Sequence, residues 1–368
     1  MKMKRLFSAV LALACVAMAT SCSDKKEGIT QGDPNKLDSL SYCFGANIGS
    51  SLKMQLGDVP FDMEVLKKGV TESMTKTTKQ TEEEAVEILQ EFFAMSLGER
   101  RQAIQAYKAD STSYQTAPQI FENDTERETV SYAFGNNIGS GLVSSKLPFQ
   151  IFWLNKGLRD AFEGNAEIAQ EEVMKYLQNY FTVVRPREAA ERSEKWLKKV
   201  GRQWGVKKTE SGLLYKVVEQ GDMSKAAKND EDIVEVHYVG KLQDGTVFDA
   251  SRFEDRSEEQ KEMIRKARPD LFDENGKFTE KDEPVKFPLN RVIKGWGEGV
   301  KLVGPGGVIK LYIPAELAYG ERGAGRDIGP NEALEFEVAV ISVEPYIPLD
   351  TEVPGDAPVE EAAAPEAK

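Results

Sequence analysis

Histidine is almost missing: the 368 residues include one, His237. This rules out histidine-built metal clusters and any Ser-His-Asp triad away from that position. Cysteine is scarce as well, with only Cys15, Cys22 and Cys43, so no disulfide framework is expected. Positive charge is outweighed, 48 Lys and Arg against 61 Asp and Glu, for a net charge of −13. No dense basic stripe stands beside aromatics, so the footprint that neutralises phosphates is missing and nucleic acid is excluded as a partner. After residue 19 no apolar run approaches the ~18 residues that suggest a membrane span. What is present is a 40% hydrophobic composition in a length that predicts two or three domains.

The first residues have the pattern of a targeting segment. Lys2, Lys4 and Arg5 make a basic start, and Leu6 to Ala19 an apolar stretch too short to span a bilayer comfortably. The small-residue run Ala19-Thr20-Ser21 before Cys22 resembles the lipobox of bacterial lipoproteins, although Ala19 stands where Leu is usual. The resemblance implies a signal peptide over 1–21, lipidation at Cys22 and a membrane attached through more than one acyl chain. Residues 22–37 are then a polar tether.

From residue 40 the chain repeats itself. L-S-Y-C-F-G-A-N-I-G-S-S-L (40–52) is matched by V-S-Y-A-F-G-N-N-I-G-S-G-L (130–142), identical at nine of thirteen positions. Lys68-Gly69 recurs as Lys156-Gly157, and Leu89-Gln90 with Phe93 recurs as Leu177-Gln178 with Phe181. Phe44, Ile48 and Leu52 fall at helical spacing, and Thr81 with Glu84 makes a capping box, so each copy (38–125 and 126–185) is expected as three short helices. Gly45 and Gly49, repeated as Gly135 and Gly139, each cost about 1 kcal/mol in a helix relative to Ala. Glycines four apart share a face, so close helix packing is the expected compensation. Cys43 aligns with Ala133 and is expected to be small and buried rather than reactive.

Residues 186–206 are expected as a connecting helix with Trp196, Leu197, Val200 and Trp204 on one packed stripe. Residues 207–346 alternate as strands at 233–239, 247–248, 285–289, 308–313 and 334–343, with a short helix near 296–301 and a hairpin turn at Asp244-Gly245. This predicts a multidomain chain: an all-α helical repeat region, then an α+β domain with an antiparallel sheet wrapped on one short helix. Residues 347–368, rich in Pro, Ala and Glu, are expected to be disordered. Asp273-Glu-Asn-Gly276 echoes a calcium loop, but Leu271 stands where the first carboxylate is needed, so a turn is expected.

Three runs carry a resemblance: V-H-Y-V-G-K-L-Q-D-G-T-V-F-D (236–249), V-I-K-G-W-G-E-G-V (292–300) and L-A-Y-G (317–320). Together they resemble the active half of an FKBP-type peptidyl-prolyl isomerase, and the repeat resembles the helical dimerisation domain of macrophage infectivity potentiator-like members, which ordinarily have one copy. The resemblance implies Tyr238, Phe248 and Phe336 as pocket walls, Trp296 as the floor under the proline ring, and Val292 and Ile293 as the rim, the Ile293 N–H holding a substrate carbonyl. It implies that Tyr319 offers its hydroxyl to a substrate carbonyl, that Asp249 orients its neighbours, and that Val285, Phe287 and Ile328 contact substrate. It implies no cofactor and no metal.

The same resemblance implies rotation about X–Pro bonds of exported proteins, with unfolded or proline-containing polypeptides as clients and a chaperone role for the helical module. The place would be the cell envelope, as an outer-membrane lipoprotein facing the periplasm or the surface. Whether the two copies pair within one chain or across a homodimer stays open. Val285 and Gly329, where members often carry Phe and Pro, favour the alternative of a non-catalytic chaperone or proline-peptide-binding lipoprotein. A segment of 253–283 replaces a short family connection; it joins two pocket strands and is expected to form a lid or client-binding flap, opened by a capped helix at Ser257.

Overall fold

The computed structural model describes residues 36–347. Cys15, Cys22, the segment 1–21, nearly all of 22–37 and residues 348–368 lie outside them. Two units are present, split at Arg185 and Pro186.

The first unit is all helical. Copy one contains α1 (Lys36–Leu56), α2 (Met63–Met74), α3 (Glu82–Gln90) and α4 (Leu97–Ala109). Copy two contains α5 (Asp124–Ser144), α6 (Ile151–Glu163) and α7 (Gln170–Asn179); the next helix, α8 (Arg185–Val200), belongs to the second unit. Copy one therefore has a fourth helix, whereas copy two has the three expected and runs on into the second unit. The reason is a widened π-type turn in each, Glu91–Ser96 and Tyr180–Val184, through which the third helix runs on into the next. Pro186 lacks an amide hydrogen to donate, and the widening just before it lets the helix continue past a residue that would otherwise end it. The capping box of Thr81 and Glu84 is formed.

The copies exchange partners. Helix α1 packs along α6, and α2 along α5, so the first helix of each copy lies on the second helix of the other. The glycines make this possible. A Cβ at Gly45 would overlap the Leu154 carbonyl oxygen, and one at Gly135 would overlap that of Leu66, eighty-eight positions earlier. Gly157 meets Tyr42 and Gly69 meets Tyr132 in the same reciprocal way. Leu40, Leu52, Leu66, Leu142, Leu154 and Leu158 close the core between them. Cys43 is 1% exposed, and burial pushes its thiol up to about 12, consistent with an inert core residue.

The second unit holds an antiparallel sheet of seven strands: β1 (Lys207–Lys208), β2 (Leu214–Glu219), β3 (Ile233–Leu242), β4 (Val247–Ala250), β5 (Val285–Pro288), β6 (Val308–Ile313) and β7 (Leu334–Glu344). The order is β1-β2-β6-β7-β3-β4, with β5 also on β3. β4 pairs with one end of β3 (Val239 to Lys241) and β5 with the other (Ile233 to Val236), so together they form one interrupted edge. The segment 253–283 fills the interruption. It contains α9 (Glu258–Ala267), whose N-terminus is closed by a capping box of Ser257 and Gln260. It has its own small core, with Phe253 stacked on Phe278 at 4.2 Å and Arg265 over Phe253 and Phe272. Asp273 to Gly276 is a turn, with the Asp273 carboxylate accepting from the Asn275 and Lys277 amides. Among the described residues no cluster of His, Cys, Asp and Glu could hold a metal, and no helix is long and apolar enough to cross a membrane.

Helix α10 (Lys294–Val300) packs on the sheet, where Trp296, Val300, Ile309, Leu311 and Val338 form the core. Three of the four residues expected on the stripe of the connecting helix, Trp196, Leu197 and Val200, pack together. Trp196 packs edge-on to Tyr312 at 5.8 Å, beside Val200 and Leu214. Trp204 is 90% exposed, because α8 stops at Val200 and the helical period that would have carried its ring inward stops with it.

Candidate functional site

Alternation along β3 sends Tyr238 to the side of the sheet that carries α10, and Gly240 two residues on leaves room where a side chain would not fit. A Cβ there would meet the rings of Phe248 and Phe336 at 2.7 and 2.9 Å. The two rings take that space and meet edge to face at 5.5 Å. Phe336 comes from β7, whose register places it opposite Gly240. Phe287 from β5 stands edge-on to both Tyr238 (5.8 Å) and Trp296 (5.6 Å). Trp296 is 3% exposed, held by the first turn of α10.

These residues surround a hollow of about 390 Å³, lined by Tyr238, Phe248, Asp249, Phe287, Arg291, Val292, Ile293, Trp296, Tyr319 and Phe336. Nine of the eleven pocket residues expected from the sequence therefore converge. Val285 and Ile328 do not line it. Val285, the first residue of β5, is paired with Val236, and Ile328 is buried in the domain core, bridged to Ala324. Arg291 lines the hollow although sequence did not single it out; its place just before Val292 was the available signal. No residue of 253–283 lines the hollow, so the described geometry is a neighbour of the pocket and not a closed lid. It is tied to the pocket wall by a bond from the Gln260 side-chain amide to the Phe248 carbonyl at 2.8 Å.

Polar groups at the rim divide into engaged and available. The Tyr238 hydroxyl donates to Asp249 at 2.7 Å. Burial first, and then the Asp249 carboxylate, raise the Tyr238 pKa, so this hydroxyl stays protonated and committed. The Tyr319 hydroxyl has no partner among the described residues; burial, with Asp249 contributing, raises its pKa too, so it remains a donor. The Ile293 amide, at the N-terminus of α10, likewise donates to no acceptor among the described residues, while the Ile293 carbonyl accepts from the Trp296 and Gly297 amides. His237 faces away from this set, with Nδ1 3.2 Å from the Ser251 hydroxyl.

An aromatic cup with two outward donors, whose one carboxylate is engaged by the Tyr238 hydroxyl, can grip a short apolar ring and a carbonyl.

Comparison with known proteins places the chain. The model of the FKBP-type peptidyl-prolyl cis-trans isomerase matches residues 224–341, and that of the domain amino terminal to FKBP-type peptidyl-prolyl isomerase matches twice, over 37–119 and 127–217. A probable FKBP-type peptidyl-prolyl cis-trans isomerase FkpA from Neisseria meningitidis serogroup B is 36% identical over 59% of this chain and 74% of its own length. The FKBP-type 22 kDa peptidyl-prolyl cis-trans isomerase of Escherichia coli is 35% identical over 60% of this chain and 97% of its own. The crystal structure of FkpA from Escherichia coli, 30% identical, covers 61% of this chain and 99% of that chain with a TM-score of 0.37, too low to add to the fold described above.

Proposed function

The chain belongs to the FKBP-type peptidyl-prolyl cis-trans isomerases and acts on proline-containing polypeptides, and on that premise we propose that the hollow between Trp296 and Tyr319 is where the X–Pro bond turns. The barrier to be lowered is ~18–20 kcal/mol, set by amide resonance. Resonance places negative charge on the amide oxygen, and twisting removes it. A dry aromatic cup therefore favours the twisted amide over the planar one, while the proline ring gains by leaving water. Each ~1.36 kcal/mol of such preference gives a factor of ten in rate.

In this reading Trp296 lies under the proline ring, with Phe248, Phe287, Phe336 and Tyr238 around it. The Ile293 amide holds one substrate carbonyl, the Tyr319 hydroxyl another, and Asp249 fixes Tyr238. The observation that carries it is the convergence of a 3%-exposed indole with two uncommitted donors on a single hollow. Titrating a proline tetrapeptide while following the indole N–H resonances by NMR tests the placement. The Trp296 resonance should shift while those of Trp153, Trp196 and Trp204 stay; a silent Trp296 rejects the assignment.

The remaining parts of the reading rest on sequence. The basic start, the apolar run and Cys22 support export and lipid anchoring at the bacterial envelope, with exported proteins as clients. A Cys22→Ala chain should leave the membrane fraction. The helical module is taken to hold clients, and its exchange of helices between copies supports a chain that completes this pairing by itself rather than through a homodimer. A non-catalytic proline-peptide binder is the second reading, favoured by Val285 in place of a wall phenylalanine. Suppression of client aggregation by residues 38–204, with no isomerase activity in the whole chain, would select it.

A further inference from the structure

Ser193 is a polar residue on α8, 5% exposed, and it serves two elements at once. Its hydroxyl donates to the Asn331 carbonyl at 2.7 Å, and accepts from the Ala333 amide at 2.9 Å and the Gln243 side-chain amide at 2.6 Å. Gln243 belongs to the β3–β4 turn. Asn331 and Ala333 belong to the segment 319–333, which starts at Tyr319. The ends of that segment are tied together: the Asn331 amide donates to the Gly320 carbonyl at 2.8 Å, and the left-handed φ of Asn331 (58°) aims its backbone to do so. Two further bonds bind the same corner to α8, from the Asn331 side chain to the Pro186 carbonyl (3.2 Å) and from Arg192 to Glu332 (3.2 Å).

Among the described residues nothing hydrogen-bonds the Tyr319 hydroxyl, so its position over the hollow depends on the backbone that carries it. That backbone is fixed one residue away, at Gly320, by Asn331, and Asn331 is fixed by Ser193.

We propose that Ser193 is a positioning residue for the isomerase reaction: through Asn331 and Gly320 it sets where the Tyr319 hydroxyl meets substrate, which makes the connecting helix α8 a working part of the catalytic unit. The proposal rests on the reading that Tyr319 donates to substrate. It explains why a serine, a weak helix former, stands buried in the middle of α8. It also distinguishes Ser193 from ordinary packing, because a satisfied three-bond hydroxyl constrains distance and direction where an apolar contact would not.

The test is a double-mutant cycle on the full-length chain, reading kcat/KM for cis/trans exchange of a proline tetrapeptide. Ser193→Ala should lower kcat/KM about fivefold or more, mainly through kcat. In a Tyr319→Phe background the same substitution should change it less than about twofold, because the hydroxyl it positions is gone. Ser193→Thr, which keeps the hydroxyl, should restore most of the loss. Equal effects of Ser193→Ala in both backgrounds would show a general loss of stability and overturn the proposal. Full activity of Tyr319→Phe alone would instead remove the reading beneath it. Should Ser193→Ala not fold, Ser193→Cys serves in its place: its thiol is only a weak donor and acceptor at the same position, and it must show the same non-additivity with Tyr319→Phe.

Discussion

The Gln150 amide donates to the Ser41 hydroxyl at 2.8 Å, and the Asp62 amide makes the equivalent bond to Ser131 at 2.9 Å. Ser41 and Ser131 occupy the same place in the two copies, so each copy gives what it receives, and the pairing closes within one chain. In copy one the fourth helix, α4, ends at Ala109 and leads into the second copy; after copy two its counterpart α8 opens the second unit.

This arrangement makes the glycines critical. Gly45→Ala or Gly135→Ala should cost at least about 3 kcal/mol, the upper range for overpacking, because the added methyl meets backbone that cannot rotate away. Denaturant unfolding of the helical unit measures it, and mass in solution should remain that of one chain for the unmodified protein. A cost under about 1 kcal/mol would show that the helices separate easily.

The pocket is electrically lopsided. Arg291 lines it without an ion pair or hydrogen bond among the described residues, whereas Asp249 is engaged by Tyr238. Peptides with Glu beside the proline should be turned over faster than those with Lys, by about two- to fivefold for an exposed charge contact. Arg291→Glu should reverse the order, and added salt should flatten it.

Acid should weaken the second unit in two steps. Burial, with Arg252 adding, lowers the pKa of His237 below its ordinary 6.5. The unfolded chain therefore takes up a proton first, and stability falls as pH drops below about 6.5 and levels off under the folded value. Asp232 follows. Its burial opposes ionisation, but the amides of Asn229, Tyr346 and Lys228 outweigh that and lower its pKa, so its contribution is lost as pH falls from about 3.8. Thermal melts across pH should show both steps, and His237→Gln should remove only the upper one.

The insertion touches the pocket from behind. Replacing residues 254–282 by a short turn removes the Gln260 bond to the Phe248 carbonyl but no lining residue. Tetrapeptide turnover should survive within about threefold, the scale of one lost neutral hydrogen bond. Refolding of a proline-limited protein should slow more. Equal effects on both substrates would deny the segment any part in handling clients.

Much of this was legible in the sequence, for identifiable reasons. The duplication stood out because Gly45, Gly49 and their copies cannot change without collision. Five of the seven strands of the second unit followed the period-two pattern, β1 and β2 being missed, and 308–313 was placed to the residue because Ile309, Leu311 and Ile313 alternate into the core. The exchange of helices was hidden, since identical copies give no sign of which one pairs with which. So was the position of Trp204, which depended on where α8 stops, and that of Ile328, which turns inward through a loop whose glycines Gly323 and Gly325 have left-handed backbones. Arg291 and Ser193 were missed because their significance lies in contacts between distant segments, which carry no local signature.

Exchange spectroscopy on a proline tetrapeptide asks whether an X–Pro bond turns inside this hollow. The wild-type chain should speed cis/trans exchange well above buffer. Tyr319→Phe should slow it about tenfold, the worth of one hydrogen bond to the twisted amide, and Trp296→Phe should slow it further. Exchange no faster than in buffer, or a fully active Tyr319→Phe, Trp296→Phe double variant, would contradict the account.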